Sequence, residues 1–194
     1  MSDSDSTRPA EAAIEEAFRK IIRAIGEDPQ REGLRETPTR IARMYQELFQ
    51  GTTVDPRGVL KVEFREDYHG LVTLGDISFY SMCEHHFLPF FGVAHVGYLA
   101  NGRVVGISKL ARLVEILSRR AQLQERLTNQ IADALNDSLH PSGVGVVVEA
   151  HHLCLEMRGI QKPGARMVTT TWRGDLAAEP VQRAFLEAVR ASRV

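Results

Sequence analysis

Two short segments hold most of the residues able to do metal or proton chemistry: Cys83-Glu84-His85-His86 and His151-His152-Leu153-Cys154. The chain has only two cysteines, and four of its seven histidines lie within three residues of one of them. A disulfide needs no such company, whereas thiolate and imidazole together suit a soft-to-borderline metal. The C-x-x-H spacing of Cys83 and His86 lets both side chains reach one ion from a tight turn. If the second segment is a strand, His152 and Cys154 share one face while His151 points the other way. A zinc ion held by Cys83, His86 and Cys154 keeps its fourth position for water, the arrangement expected of hydrolytic chemistry. Two plainer readings stand beside this one. A closed site would take His85 or His152 as fourth ligand, and two buried free cysteines with surface histidines would bind nothing. Spare histidines next to a metal favour acid–base work over scaffolding.

These residues need elements to carry them. Ile14, Phe18, Ile21, Ile22 and Ile25 recur at helical spacing, and Gly26 with Asp28-Pro29 closes that helix. Thr37-Pro38 reads as an N-cap followed by proline at the first helical position, opening a helix with Ile41, Met44, Tyr45, Leu48 and Phe49 inward. Val72, Leu74, Ile77 and Phe79 then suggest extended structure, and 92–100 reads as a strand. Asn101-Gly102 between Tyr98-Leu99 and Val104-Val105 predicts a hairpin. Ser108 is placed to cap a helix carrying Leu110, Leu113, Val114 and Leu117. A second helix is expected from about Gln122 to Leu139, with Leu123, Leu127, Ile131 and Leu135 in one row. Segments 144–157 and 166–172 read as strands joined by a turn at Lys162-Pro163-Gly164, and 180–190 as a terminal helix. Gly143-x-Gly145 is too short for a phosphate loop and reads as a turn into a strand. Strand pairs with helices between them argue for an antiparallel α+β fold, whose open sheet edges invite oligomerisation.

Composition bounds the function. Of 194 residues, 43% are hydrophobic, enough for one well-cored domain. The formal net charge of -1 implies no bulk attraction to nucleic acid or to an anionic membrane. No apolar run approaches the roughly 18 residues of a membrane span. The polar, acidic start of the chain is unlike a signal peptide, so a cytoplasmic setting is expected. Residues 1–9 read as a disordered tail, 10–60 as an N-terminal helical subdomain and 61–194 as the catalytic domain.

At its metal-ligating segments the sequence closely resembles the GTP cyclohydrolase I family. Besides Cys83-Glu84-His85-His86 and His152-Leu153-Cys154-x-x-x-Arg158-Gly159, the resemblance rests on Gly33-Leu34-Arg35-Glu36-Thr37-Pro38-Thr39-Arg40, Gly106-Ile107-Ser108-Lys109-Leu110, Val114-Glu115 and Gln122-Leu123-Gln124-Glu125-Arg126-Leu127-Thr128. It covers essentially the whole chain after the tail. The resemblance implies conversion of GTP to 7,8-dihydroneopterin triphosphate with release of formate, the entry to folate or pterin synthesis. It also implies a homodecamer of T-fold subunits, an antiparallel sheet with two packed helices in each, and active sites shared between subunits. The zinc ligands of the family fall on Cys83, His86 and Cys154, and its acid–base histidines on His85 and His152. The main rival on this fold is a deazaguanine nitrile reductase, against which both cysteine–histidine segments speak.

Substrate chemistry then suggests further residues. Guanine presents its N1–H and 2-amino group as adjacent donors, which one carboxylate accepts together, so Glu125 is the expected anchor with Gln124 beside it. A triphosphate needs converging cations. Lys109 and Arg112 lie three apart on the helix after Ser108, near its positive N-terminus. Arg158 lies four residues beyond Cys154, on the same face if that strand stays regular. Arg40 matches the Thr-Pro-x-Arg motif and is expected to reach in from a neighbouring subunit. Ser108 is a hydroxyl partner for the later ribose rearrangement, although capping would also explain it. Arg119, Arg120 and Arg126 read as solvated or interface charges.

Overall fold

A computed structural model describes residues 4–60 and 63–191. Its chain divides into two units, Met1–Phe49 and Gln50–Val194, so the boundary falls earlier than the expected residue 60. The first unit holds α1 (Ser4–Ala24) and α2 (Thr37–Leu48). Helix α1 thus begins inside the segment read as a tail; residues 1–3 lie outside those described. Gly26, at φ +88°, ends it by donating its N–H to Arg23 O at 3.0 Å. Thr37 is the first helical residue of α2, with Glu36 as its cap, one position earlier than expected. Phe18, Tyr45 and Phe49 form an aromatic row between the helices. Ile21, Ile25 and Met44 stay exposed despite their helical spacing, because two helices bury only one seam.

The second unit is built on a five-stranded sheet. Strands β2 (Leu71–Cys83), β3 (Pro89–Leu99), β6 (Gly143–His152) and β7 (Arg166–Gly174) run antiparallel in that order. The two-residue β5 (Ala121–Gln122) lies parallel on the free edge of β2, a strand the sequence did not reveal. Helices α3 (Ile107–Ser118) and α4 (Gln124–Leu139) cover one face. Leu110, Leu113, Val114, Leu127, Ile131 and Leu135 are wholly buried there against Phe90, Val96, Tyr98 and Val146. Each such side chain contributes about 1.5–3 kcal/mol relative to exposure. Helix α6 (Glu179–Ala191) packs Phe185 and Val189 on one end of the opposite face, with Trp172 edge-on to Phe185 at 5.5 Å.

Three local expectations are corrected. Residues Arg103–Val105 (β4) do not form a hairpin with β3; they pair with Glu63–Arg65 (β1) in a separate two-stranded sheet. Both edges of β3 are already occupied, by β2 and β6, so the Asn101-Gly102 turn directs the chain elsewhere. Ser108 does not cap α3; Gly106 is the cap residue and Ser108 lies within the first turn. Strand β6 stops at His152, and Leu153–Glu156 (α5) is a single helical turn. Single-turn segments carry no periodicity long enough to be read from sequence. The result is the α+β, T-fold-like arrangement that the resemblance implied.

Candidate metal centre and active site

Cys83 ends β2, and the chain folds back sharply after it. Its N–H donates to Leu88 O at 2.9 Å, and Phe87 N–H donates to Cys83 O at 2.8 Å, with Phe87 at φ +51°. Glu84 N–H ties the turn to β5 through Gln122 O at 3.0 Å. This turn brings His86 Nδ1 to 3.9 Å from Cys83 Sγ. From the other side α5 delivers Cys154, so the cysteine arrives by a helical turn and not by strand alternation. The ligand atoms of Cys83, His86 and Cys154 all lie within 4.8 Å of one another. Zinc bonds of about 2.0–2.3 Å require only a modest closing of that triangle. Burial and the adjacent Cys83 thiol push the Cys154 thiol pKa up, while Arg158 pulls it down. A half-buried thiol such as Cys154 that resists ionisation alone is the ligand type a divalent cation deprotonates on binding. The donor set therefore fits zinc.

Beside the cluster, strand alternation holds for the histidines. His152 lies flat on Phe90, its partner across the β3–β6 ladder, with centroids 4.6 Å apart. His151 turns to the opposite face, where it stacks on Phe91 and meets Glu156 Oε1 at 2.8 Å. Half-burial lowers the His152 pKa, opposed by the Glu125 and Glu156 carboxylates. His152 Nε2 is 2.8 Å from Gln124 Oε1. Gln124 is 1% exposed, and its Nε2 faces Val148 O, Met167 O and Thr169 Oγ1 at 3.0–3.1 Å. Its side-chain amide is thus engaged inside the protein, while its place next to Glu125 at the start of α4 is as expected. Phe90, Thr128 and Thr169 were missed, since only the pairing of distant strands reveals them.

The other expected residues divide among several places. His85 is exposed, its Nε2 4.0 Å from Glu84, which itself forms a bidentate pair with Arg126. Glu125 is exposed in the first turn of α4 and near enough to raise the His152 pKa. Arg158 follows α5 in a loop, so the strand-face argument for it fails, yet its charge still acts on Cys154. Arg40 belongs to the first unit. Ser108 and Arg112 line a groove of about 710 Å³ between α3 and β2, with Asp76, Tyr80 and Arg119. That volume is in the range of small-molecule sites. Lys109 is not among its lining residues, and neither is any member of the metal cluster. Arg120 is no free surface charge: it donates to Gly51 O at 2.6 Å and Val54 O at 3.3 Å.

Three protein ligands with a histidine held alongside define a zinc-site enzyme on an α+β scaffold. The chain belongs to the GTP cyclohydrolase I family, whose sequence profile matches residues 14–190. It is 55% identical over 183 residues to GTP cyclohydrolase 1 of Dehalococcoides mccartyi, covering 93% of this chain and 97% of that one. It is 56% identical over 173 residues to GTP cyclohydrolase 1 of Thermoanaerobacter pseudethanolicus, covering 88% and 92%. Among solved structures, the archaeosine synthase QueF-Like in the apo form aligns with 54% of this chain and 94% of its own, at 20% identity and a TM-score of 0.44.

Proposed function

We infer that this protein hydrolyses and rearranges GTP to 7,8-dihydroneopterin triphosphate, releasing formate. The observation that carries the inference is the convergence of Cys83, His86 and Cys154, from β2, its turn and α5, beside a fixed His152. Bound zinc supplies a Lewis acid that brings the pKa of water toward neutrality. The protein's own groups supply the rest. As the imidazole ring opens at C8, a ring nitrogen must gain a proton, and exposed His85 donates it. His152 exchanges protons in the deformylation and ring closure that follow. Glu125 accepts the N1–H and 2-amino hydrogens of guanine. Arg158, Lys109, Arg112 and Arg40 meet the triphosphate, and Ser108 lends its hydroxyl to the ribose rearrangement.

The protein works as a homodecamer with shared active sites. Support comes from the separate locations of the Ser108–Arg112 groove and the metal cluster, and from β7, which pairs only with β6 among the described residues. No described helix is long and apolar enough to cross a membrane. A cytoplasmic setting suits two cysteines kept reduced as metal ligands. The test is to incubate zinc-loaded protein with GTP, following formate release and the pterin chromophore. Absence of both at full zinc occupancy overturns the enzyme reading and leaves a metal-stabilised assembly. Native mass spectrometry tests the decamer.

A further inference from the structure

Behind His152 lies a chain of hydroxyl and amide groups, buried at Gln124 and Thr128 and half-buried at Thr169, whose hydrogen-bond directions can be solved. Thr128 Oγ1 is 2.7 Å from Gln124 O, one helical turn back, and a carbonyl only accepts, so the Thr128 hydrogen goes there. Thr128 Oγ1 is also 2.6 Å from Thr169 Oγ1. With the Thr128 hydrogen committed, Thr169 must be the donor in that contact. Thr169 Oγ1 then has only lone pairs to offer Gln124 Nε2, 3.1 Å away. Val148 O and Met167 O, at 3.0 and 3.1 Å, are likewise acceptors. All three neighbours of that end of the Gln124 side chain therefore demand its NH2 group. Turning the amide over would set a carbonyl oxygen against two backbone carbonyls. Gln124 Oε1 is thus forced toward His152 Nε2, where it requires a hydrogen at 2.8 Å.

We propose that Thr169 and Thr128 are positioning residues: through Gln124 they hold His152 in one orientation and as the Nε2–H tautomer, with Nδ1 bare. The flat stack on Phe90 completes the restraint by fixing the ring plane. Burial makes the chain selective at Gln124 and Thr128, because an unsatisfied donor or acceptor there has no water to turn to. Thr128 and Gln124 are each 1% exposed.

The role of this network rests on His152 being an acid–base group, but the tautomer itself does not, so the two are read separately. Solid-state 15N spectra of histidine-labelled, zinc-loaded protein report each ring's tautomer without substrate, with the His152 signals assigned by their loss in His152→Asn. The wild type is expected to show Nε2 protonated and Nδ1 bare. Thr169→Val removes the hydroxyl at nearly constant volume, and should give mixed His152 tautomers. Its kcat for GTP should fall by about tenfold or more, with KM nearly unchanged and zinc content intact. Thr169→Ser should restore both tautomer and kcat, and Thr128→Val should behave as Thr169→Val. A single Nε2–H tautomer and unchanged kcat in both valine variants overturn the proposal. So does a wild-type spectrum with Nδ1 protonated. A tautomer shift with no change in kcat would instead refute the catalytic role of His152.

Discussion

The imidazole of His152 lies parallel to the Phe90 ring, with an interplanar angle of 2° and centroids 4.6 Å apart. Phe90 is completely buried in the core under α3 and α4, so the metal-side histidine rests on the main hydrophobic core. Phe90→Leu keeps an apolar core but removes the flat support. It is expected to lower stability by about 1–3 kcal/mol in urea unfolding, and to reduce kcat by more than that loss explains at 25 °C.

The metal triangle has no spare member. Cys83→Ala, His86→Ala and Cys154→Ala should each lower zinc content far below one ion per chain after dialysis, and abolish GTP turnover. Elemental analysis by plasma mass spectrometry checks the first and formate release the second. Full zinc retention with normal activity in Cys154→Ala would refute its place as a ligand.

His85 and His86 are neighbours to which the proposed function gives different work. The His85 ring points into solvent, whereas His86 Nδ1 is 3.9 Å from Cys83 Sγ. His85→Ala should therefore keep its zinc and lose ring opening by about 100-fold or more. Normal turnover in this variant would remove His85 from the mechanism.

Glu125 is exposed and forms no ion pair among the described residues, and the proposed function makes it the anchor of guanine. Glu125→Gln replaces one acceptor oxygen with a donor facing the donors of guanine. GTP affinity should fall by about 2–3 kcal/mol, read as a rise in KM or in Kd by equilibrium dialysis.

Tyr98 is wholly buried, and its hydroxyl accepts the Val105 N–H at 3.1 Å. Tyr98→Phe leaves that N–H without a partner and should cost about 1–3 kcal/mol. Burial also holds the Tyr98 phenol above its ordinary pKa of 10.0. The folded state therefore binds this proton more tightly than the unfolded one. Its contribution is complete below about pH 10 and is lost as pH rises through the folded value. Tyr98→Phe should accordingly flatten the alkaline end of the stability curve, measured by urea unfolding from pH 8 to 11.

The helices, the main strands and the two metal-ligating segments were legible because periodicity and short motifs are local. Leu110, Leu113, Val114 and Leu117 mark the buried face of α3 by spacing alone, and all are essentially inaccessible in the fold. Cys83, His86 and Cys154 were recognisable by type and spacing, and family resemblance separated ligand from acid–base histidine. Tertiary structure decided the rest. A one-turn helix, not a strand, delivers Cys154, and β4 turns to β1 because β3 has no free edge. The partners of His152 lie on α4 and β3, and those of Gln124 behind it on β6 and β7, joined by ladders between residues far apart in the chain. Only that folding makes Gln124 an interior support, which its place next to Glu125 in the sequence does not show. Residue types and local spacing state which chemistry is available, but burial and non-local pairing determine which atoms are free to perform it.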